Sequence, residues 1–253
     1  MFSVEQLQAG LNTKFLGREV KYLKKTYSTN VDAWECFQTQ KLEGTLIIAD
    51  HQAKGRGRRK SKWYSAEGKS LTFSFMLLPE MALEKLGILP LLTGVSIVKG
   101  IQNISNILSG LKWPNDIMIS RKKMGGILIE SRTVKQGLNV VVGIGLNINE
   151  SEDDIPDNLQ GQATSLHIEL GEEFSRELIL ASILNEFENL YINFWYDIIP
   201  LWEEYCIHEN DDITFFSNKK VHQGIFQGIT ETGHAMIQIN GETKTFPAGM
   251  VTL

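Results

Sequence analysis

Residues 50–65 read DHQAKGRGRRKSKWYS and gather positive charge into one loop. From Lys54 to Lys62, six of the nine residues are cationic and none is acidic. The whole chain of 253 residues has 25 Lys and Arg against 30 Asp and Glu, a formal net charge of −5. Because the chain is acidic overall, the positive charge of this loop calls for a local explanation, either structural or functional.

Three interpretations of the loop follow from its residues: a nucleic-acid-binding tail, a solvated loop, or a flap that binds an anion over an active site. Gly55 and Gly57 alternate with Arg56 and Arg58, so the backbone can adopt positive φ and turn its N–H groups towards an anion. Arginine also binds phosphate or carboxylate through two N–H groups at once. Trp63 is able either to stack on a base or to pack in the core. The loop alone leaves these choices open.

Composition argues against several other classes of protein. No G-x-x-x-x-G-K-[ST] phosphate loop is present, and GRGRRK and GIGLNI lack the third glycine of a dinucleotide fingerprint. No run of about 18 uncharged apolar residues predicts a membrane span, and the N-terminus does not resemble a secretory signal. Cys36 and Cys206 are far apart and the five histidines are scattered. This pattern favours free thiols in a reducing cytoplasm and no zinc site held by the protein.

The hydrophobic pattern predicts a mixed α/β domain, residues 1–207, followed by a small all-β domain, residues 208–253. Helices are predicted after Ser3, after residues 28–30, over 86–104 and over 174–194. Strands of the first domain are predicted over 20–22, 45–50, 70–78, 111–120, 125–134 and 138–149. Beyond residue 208 the pattern changes to short strands of period two, with a hairpin signal at Asn240-Gly241. The acidic segment 150–158 is predicted to be a solvated loop.

Polar residues near the predicted strand ends supply further candidates for a site. Gln52 precedes the basic loop, and KWPND places Asn115 and Asp116 after a proline. KKMGG is predicted to put Lys123 at the tip of a turn over residues 121–126, and GIGLNIN puts Asn147 beyond a pair of glycines. Each of these residues alone is more typical of a turn former or a solvated side chain than of a functional group.

In combination these motifs resemble the biotin–protein ligase family, the biotin–[acetyl-CoA-carboxylase] ligases. The motifs that carry the resemblance, in chain order, are STN (28–30), HQAKGRGRRKSKW (51–63), KWPND (112–116), KMGGILIE (123–130) and GIGLNIN (143–149). The resemblance implies an α/β (α+β) catalytic domain with a mixed sheet, related to class II aminoacyl-tRNA synthetases, and a C-terminal SH3-like β-barrel. It also implies biotin and ATP as substrates with Mg²⁺, and a biotin carboxyl carrier protein as partner.

The same resemblance assigns roles to residues of this sequence. The family's biotin contacts fall on Ser28, Thr29, Asn30, Gln52, Arg56, Gly57, Arg58 and Lys123, and Gly55 belongs to the same binding loop. The adenine-stacking aromatic falls on Trp63, while Asn115, Asp116 and Asn147 fall where the family binds the phosphate, the metal or the nucleotide. The residues expected to act in catalysis are Lys123, which would hold the attacking carboxylate and the α-phosphate, Arg58, which would clamp them with Arg56, and Asp116. For Asp116 two roles stay open: orienting or deprotonating the incoming lysine, or capping a turn.

Two features of the chain differ from some members of the family. Only 27 residues precede Ser28, so the expectation is the monofunctional type, without the N-terminal DNA-binding domain. The sequence ends at Leu253, where some members continue to an arginine that contacts the nucleotide. We further expect a cytoplasmic monomer or homodimer that binds neither DNA nor a membrane. The rival hypotheses are a lipoate–protein ligase or octanoyltransferase and a nucleic-acid-binding protein without enzymatic activity.

Overall fold

A seven-stranded mixed sheet forms the larger part of the protein. The computed structural model describes residues 1–39, 42–80, 82–135, 137–217 and 220–252. The strands of this sheet are β1 (Val20–Leu23), β2 (Leu46–Ala49), β3 (Leu71–Leu77), β4 (Gly110–Lys112), β5 (Asp116–Ile119), β6 (Lys122–Val134) and β7 (Gly137–Leu146). Their order across the sheet is β1-β2-β3-β7-β6-β5-β4. β1 pairs with β2 in parallel, whereas the other neighbouring pairs are antiparallel.

Helices cover both faces of this sheet because successive strand residues point to opposite sides. Ile47, Met76 and Val141 pack with α2, whereas their neighbours along the strands, such as Ile48 and Phe75, belong to the main core on the other face. That core is closed by α3 and α5, which pack on each other and on the sheet. The helices are α1 (Val4–Gly10), α2 (Thr29–Thr39), α3 (Leu89–Ser105), α4 (Leu166–Leu170), α5 (Arg176–Asn193) and α6 (Ile198–Glu204).

The apolar character of α3 follows from its position inside the core. The segment Leu83–Ser105 is long and apolar enough to cross a membrane by length and composition alone. In the structure 67% of the most apolar 18-residue stretch of this segment is buried within the protein, since α3 lies between α5 and the sheet. A helix that is apolar on nearly all sides is expected at such a position.

A five-stranded antiparallel sheet follows the mixed sheet in the chain. Its strands are β8 (Asp212–Ser217), β9 (Lys220–Ile229), β10 (Ala235–Ile239), β11 (Glu242–Phe246) and β12 (Met250–Thr252), in the order β11-β10-β9-β8-β12. Connecting segments link the two sheets. Leu111 in β4 exchanges backbone hydrogen bonds with Tyr205 and Ile207, which lie between α6 and β8, and the indole N–H of Trp113 donates to the carbonyl of Gly233, between β9 and β10, at 3.1 Å. The predicted domain boundary falls between α6 and β8.

Most of the predicted elements are confirmed. Ser3 caps α1, and Asn240 and Gly241 make the tight turn between β10 and β11 with positive φ at both positions. The predicted turn over residues 121–126 is wrong, because the positive φ angles lie at Ser120 and Arg121 and Lys123 is already in β6. A type I′-like turn needs two residues with positive φ, and Ser120 and Arg121 supply them. The lysines and glycines expected in the turn belong to β6 instead.

Candidate active site

A cavity of about 470 Å³ lies on the α2 face of the mixed sheet. Cross-strand neighbours share a face, and on this face the strands beyond α2 carry small or polar residues, among them Ser74, Gly143 and Gly145. The predicted site residues that line this cavity are Ser28, Thr29, Asn30, Gln52, Arg56, Gly57, Arg58, Trp63, Asn115, Asp116 and Lys123. The cavity adjoins a wider groove of about 1500 Å³ with which it shares part of its lining, and which also reaches Gly55 and Asn147. The structure therefore brings the predicted residues together.

One end of the cavity is built from a buried hydrogen-bond network at the start of α2. The Thr29 N–H donates to Gln52 Oε1 at 2.8 Å, and the Thr29 hydroxyl donates to the same oxygen at 3.2 Å. Ser74 in β3 lies 2.7 Å from both Thr29 Oγ1 and Asn30 Oδ1. Ser28, Thr29 and Asn30 are buried. This end offers fixed donors and acceptors to a polar, uncharged group.

The basic loop folds over the cavity as a closed turn. The Trp63 N–H donates to the Gly55 carbonyl at 3.0 Å, and the Gly57 N–H donates to the Ser61 carbonyl at 2.8 Å. The positive φ that glycine permits is not used at either position, whereas Arg59 has φ 53°. The glycines are needed for close approach instead, since a Cβ at position 55 would lie 2.5 Å from the Trp63 carbonyl oxygen.

Two lysines pair with one carboxylate at the opposite wall, and an arginine lies beside them. Lys123 pairs with Asp116 Oδ1, and Lys112 lies 3.3 Å from Asp116 Oδ2. Arg58 donates to Asn115 Oδ1 at 3.1 Å. Burial lowers the pKa of the Arg58 guanidinium, repulsion from Arg59 adds to the shift, and attraction to Asp116 opposes it. One carboxylate among three cations leaves an excess of positive charge, which suits an anion.

Trp63 and Asn147 lie on the side of the site nearer the groove. The Trp63 indole rests against Gly145, where a Cβ would lie 2.4 Å from Cε2, and its buried N–H has no partner. Asn147 is buried and donates to the Thr164 carbonyl at 2.9 Å. Asn147 therefore lies at the groove and does not line the smaller cavity.

Several residues at the site were missed by the sequence patterns. Lys112 lies inside the KWPND motif but was not singled out, and Ser74 is one of many hydroxyls in strands. Glu130 closes the KMGGILIE motif and accepts hydrogen bonds from three side chains. Phe216 and Met250 of the five-stranded sheet also line the cavity, which no local pattern could show because they lie far away in the chain.

The acidic segment is the predicted solvated loop only in part, because three of the five acidic residues in 150–158 are exposed and two are not. Glu150 is buried and accepts a hydrogen bond from the Ser70 hydroxyl, and Asp154 pairs with Lys69 at 2.5 Å. Burial raises the pKa of Glu150 to about 7, an effect that the Ser70 hydrogen bond opposes. Both residues line the groove. A short acidic run therefore supplied one wall of the site.

The described residues do not provide a metal cage. Across the described ranges no group of three or more His, Cys, Asp or Glu side chains is placed to hold a metal ion. At the cation cluster the carboxylate available is Asp116, whose two oxygens are both paired with lysines. Any divalent cation at this wall would need most of its oxygen ligands from a bound molecule.

Comparisons with known proteins show which family this chain resembles. Residues 22–147, which include every predicted site residue, match the model of the Biotin/lipoate A/B protein ligase family. The chain is 34% identical to the bifunctional ligase/repressor BirA of Bacillus subtilis, over 96% of this chain and 76% of that protein. It is 28% identical to the biotin–[acetyl-CoA-carboxylase] ligase of Mycobacterium tuberculosis, over 92% and 88% respectively. The solved biotin protein ligase of Aquifex aeolicus in complex with biotin and ATP matches with a TM-score of 0.79 at 28% identity, over 93% of this chain and 98% of that chain.

Proposed function

Because the chain belongs to the biotin protein ligases, within the biotin/lipoate A/B protein ligase family, we propose that it activates biotin with ATP and transfers it to a carrier protein. In the first step a biotin carboxylate oxygen attacks the α-phosphorus of ATP, and pyrophosphate leaves, giving biotinoyl-5′-AMP. In the second step the amine of a carrier lysine attacks the acyl carbon, AMP leaves with the electrons of the broken C–O bond, and the amine loses a proton.

The observation that carries this proposal is the meeting of Arg58, Lys112 and Lys123 at one wall of the cavity. The first step brings an anion onto a polyanion, and two unit charges about 4 Å apart repel by about 4 kcal/mol at an effective dielectric near 20. Fixed cations remove that repulsion and stabilise the charge that grows on the phosphoryl oxygens. Mg²⁺ would enter with ATP, held mainly by phosphate oxygens.

The hydrogen-bond network at the other end favours biotin over lipoate. The biotin ureido group has N–H donors and a carbonyl acceptor, which match the Gln52, Thr29, Asn30 and Ser74 side chains. The dithiolane ring of lipoate offers no such groups, so it would form no hydrogen bonds with these side chains, whereas each bond to the ureido group would contribute about 0.5–1.5 kcal/mol. Lipoate is therefore the weaker candidate.

The basic loop would protect the intermediate from water. A mixed anhydride hydrolyses unless water is excluded, and the closed turn over the cavity places Trp63 and Arg58 above it. In the second step Asp116 would be free to accept the lysine proton only after phosphate has drawn Lys123 and Lys112 away from it.

We propose a biotin carboxyl carrier protein of the acetyl-CoA carboxylase type as the acceptor, since the name of the mycobacterial relative specifies acetyl-CoA carboxylase. We also propose a division into domains at residues 207 and 208, a synthetase-like first domain, an SH3-like class for the second, and action in the cytoplasm. The closeness of Phe216 and Met250 to the cavity supports a direct part for the second domain in the site.

The test is ATP–pyrophosphate exchange, followed by mass measurement of a biotin carboxyl carrier domain. Exchange should depend on biotin and not on lipoate, and the carrier should gain one biotinoyl group on one lysine. Exchange that depends on lipoate, or a lack of exchange with either acid, would contradict the proposal.

A further inference from the structure

Glu130 connects the basic loop to the polar end of the cavity. It lies in β6 opposite Val141 of β7, on the face that carries α2 and the site. Its Oε1 pairs with Arg56 Nη2 at 2.8 Å. Its Oε2 accepts hydrogen bonds from Asn30 Nδ2 at 3.0 Å and from Trp34 Nε1 at 3.3 Å. Three donors from two separate segments therefore meet at one side chain.

Only an acceptor on both branches can satisfy these donors. A carboxylate has two oxygens and no N–H, so it accepts from Arg56 on one side and from Asn30 and Trp34 on the other. Glutamine has the same shape but would turn an NH₂ group towards one of the donors. Trp34 is itself held from the other side, where the Arg132 guanidinium carbon lies 3.9 Å from the centre of the indole ring.

The three arginines of the basic loop contact different parts of the protein. Arg58 reaches Asn115 beside the lysines, whereas Arg59 donates to the Phe216 carbonyl at 3.3 Å. Arg56 turns to Glu130, which neutralises its charge. The guanidinium that faces the anion wall is thus Arg58, and Arg56 is a fastening point.

We propose that Glu130 is a positioning residue that tethers the basic loop through Arg56 and at the same time orients Asn30. The proposal rests on the proposed function for the meaning of Asn30 and departs from the family expectation that Arg56 clamps substrate. The loop is then closed by an ion pair with β6 before any anion arrives, while Arg58 remains for the substrate.

The tether can be tested without any substrate, by trypsin cleavage after the exposed Arg59. The Glu130→Gln variant should be cut on the order of fivefold faster than the wild type, as expected when a partly exposed ion pair is lost. Glu186→Gln is the matched control, because Glu186 also accepts from an asparagine, Asn103 at 3.0 Å, and lies 3.8 Å from a cation, Lys99, away from the cavity. This control should be cut at the wild-type rate, and local opening should leave the trypsin sites outside residues 54–62 protected.

A charge swap separates the tether from the positioning of Asn30. Arg56→Glu and Glu130→Arg should each speed cleavage after Arg59, and the double variant should recover because the ion pair forms with reversed signs. In the exchange assay the KM for biotin should be higher than the wild-type value in Glu130→Arg and also in the double variant, since a guanidinium cannot accept a hydrogen bond from Asn30.

Equal cleavage of Glu130→Gln and the wild type, or no recovery in the double variant, would overturn the tether. A biotin KM at the wild-type value in the double variant would overturn the positioning of Asn30. Absence of biotin-dependent exchange in the wild type would instead overturn the proposed function and the role of Asn30, while the cleavage result would still decide the tether.

Discussion

The ammonium group of Lys123 lies against Asp116, and Lys112 holds the other oxygen of the same carboxylate. This double pairing separates the function of Lys123 from the stability of the fold. Removal of one partner of a buried ion pair is costly when it leaves a charge without compensation. Without Lys123, Asp116 still has its ion pair with Lys112, so replacing Lys123 should impair substrate binding and catalysis more than folding.

Lys123→Ala should therefore lose biotin-dependent exchange by roughly 10²–10³-fold, with little change in the free energy of unfolding. Lys122→Ala is the matched control, because the neighbouring strand residue points to the other face and does not line the cavity. Exchange assays and urea denaturation of both variants make the comparison. Near-normal exchange in Lys123→Ala would remove this lysine from the chemistry.

At the scale of the element, glycines in β7 leave space on the cavity face for side chains of the site. A Cβ at position 143 would lie 1.9 Å from Asn30 Oδ1, and a Cβ at position 145 would lie 2.4 Å from Trp63 Cε2. GIGLNI fails as a dinucleotide motif, yet its two glycines admit one residue from each end of the site. Alternation along the strand puts both gaps on the cavity face.

The two glycines should give opposite kinetic signatures when each is replaced by alanine. Gly143→Ala should push Asn30 away and raise the KM for biotin more than the KM for ATP. Gly145→Ala should displace the Trp63 ring and raise the KM for ATP more than that for biotin, if Trp63 stacks on adenine. Each variant is the other's control in steady-state exchange, and identical changes in both constants would contradict separate sites.

The sequence predicted the elements better than the contacts between them. Apolar periodicity defined α3, α5 and the strands, because burial of a continuous face is a local property of the chain. It also included Leu178 and Phe194, which the structure leaves partly exposed, since periodicity does not show where a neighbouring element ends. The site residues came from motifs, whereas Lys112, Glu130 and Glu150 depend on which strands are paired. Such long-range pairing leaves no short-range signal in one sequence.

At the scale of the whole molecule, two buried titratable groups act on stability in opposite directions. Glu150 lies beyond the end of β7, and burial raises its pKa from 4.5 to about 7. His208 lies at the junction of the two sheets, with its ring centre 4.2 Å from that of Phe226 and its Nδ1 3.4 Å from Cys206 Sγ. Burial lowers the pKa of His208 from 6.5 to about 4, and repulsion from Lys112 adds to the shift.

The sign of each contribution follows from which state binds the proton more tightly. The folded state keeps Glu150 protonated, so its contribution is complete below pH 4.5 and is lost as the pH rises through about 7. The folded state keeps His208 neutral, so its contribution is complete above pH 6.5 and is lost as the pH falls towards 4. Asp154, with its pKa lowered to about 2, changes stability only at more acidic pH.

These two groups should cancel in the wild type between pH 4.5 and 6.5, and single variants should expose each one. In Glu150→Gln the free energy of unfolding should rise with pH across this range by about 1.4 kcal/mol per pH unit, and in His208→Phe it should fall with a similar slope. Phenylalanine keeps a ring beside Trp202 and Phe226, so the folded state should survive. Urea denaturation at several pH values measures both slopes, and parallel profiles for the two variants would refute the assignment.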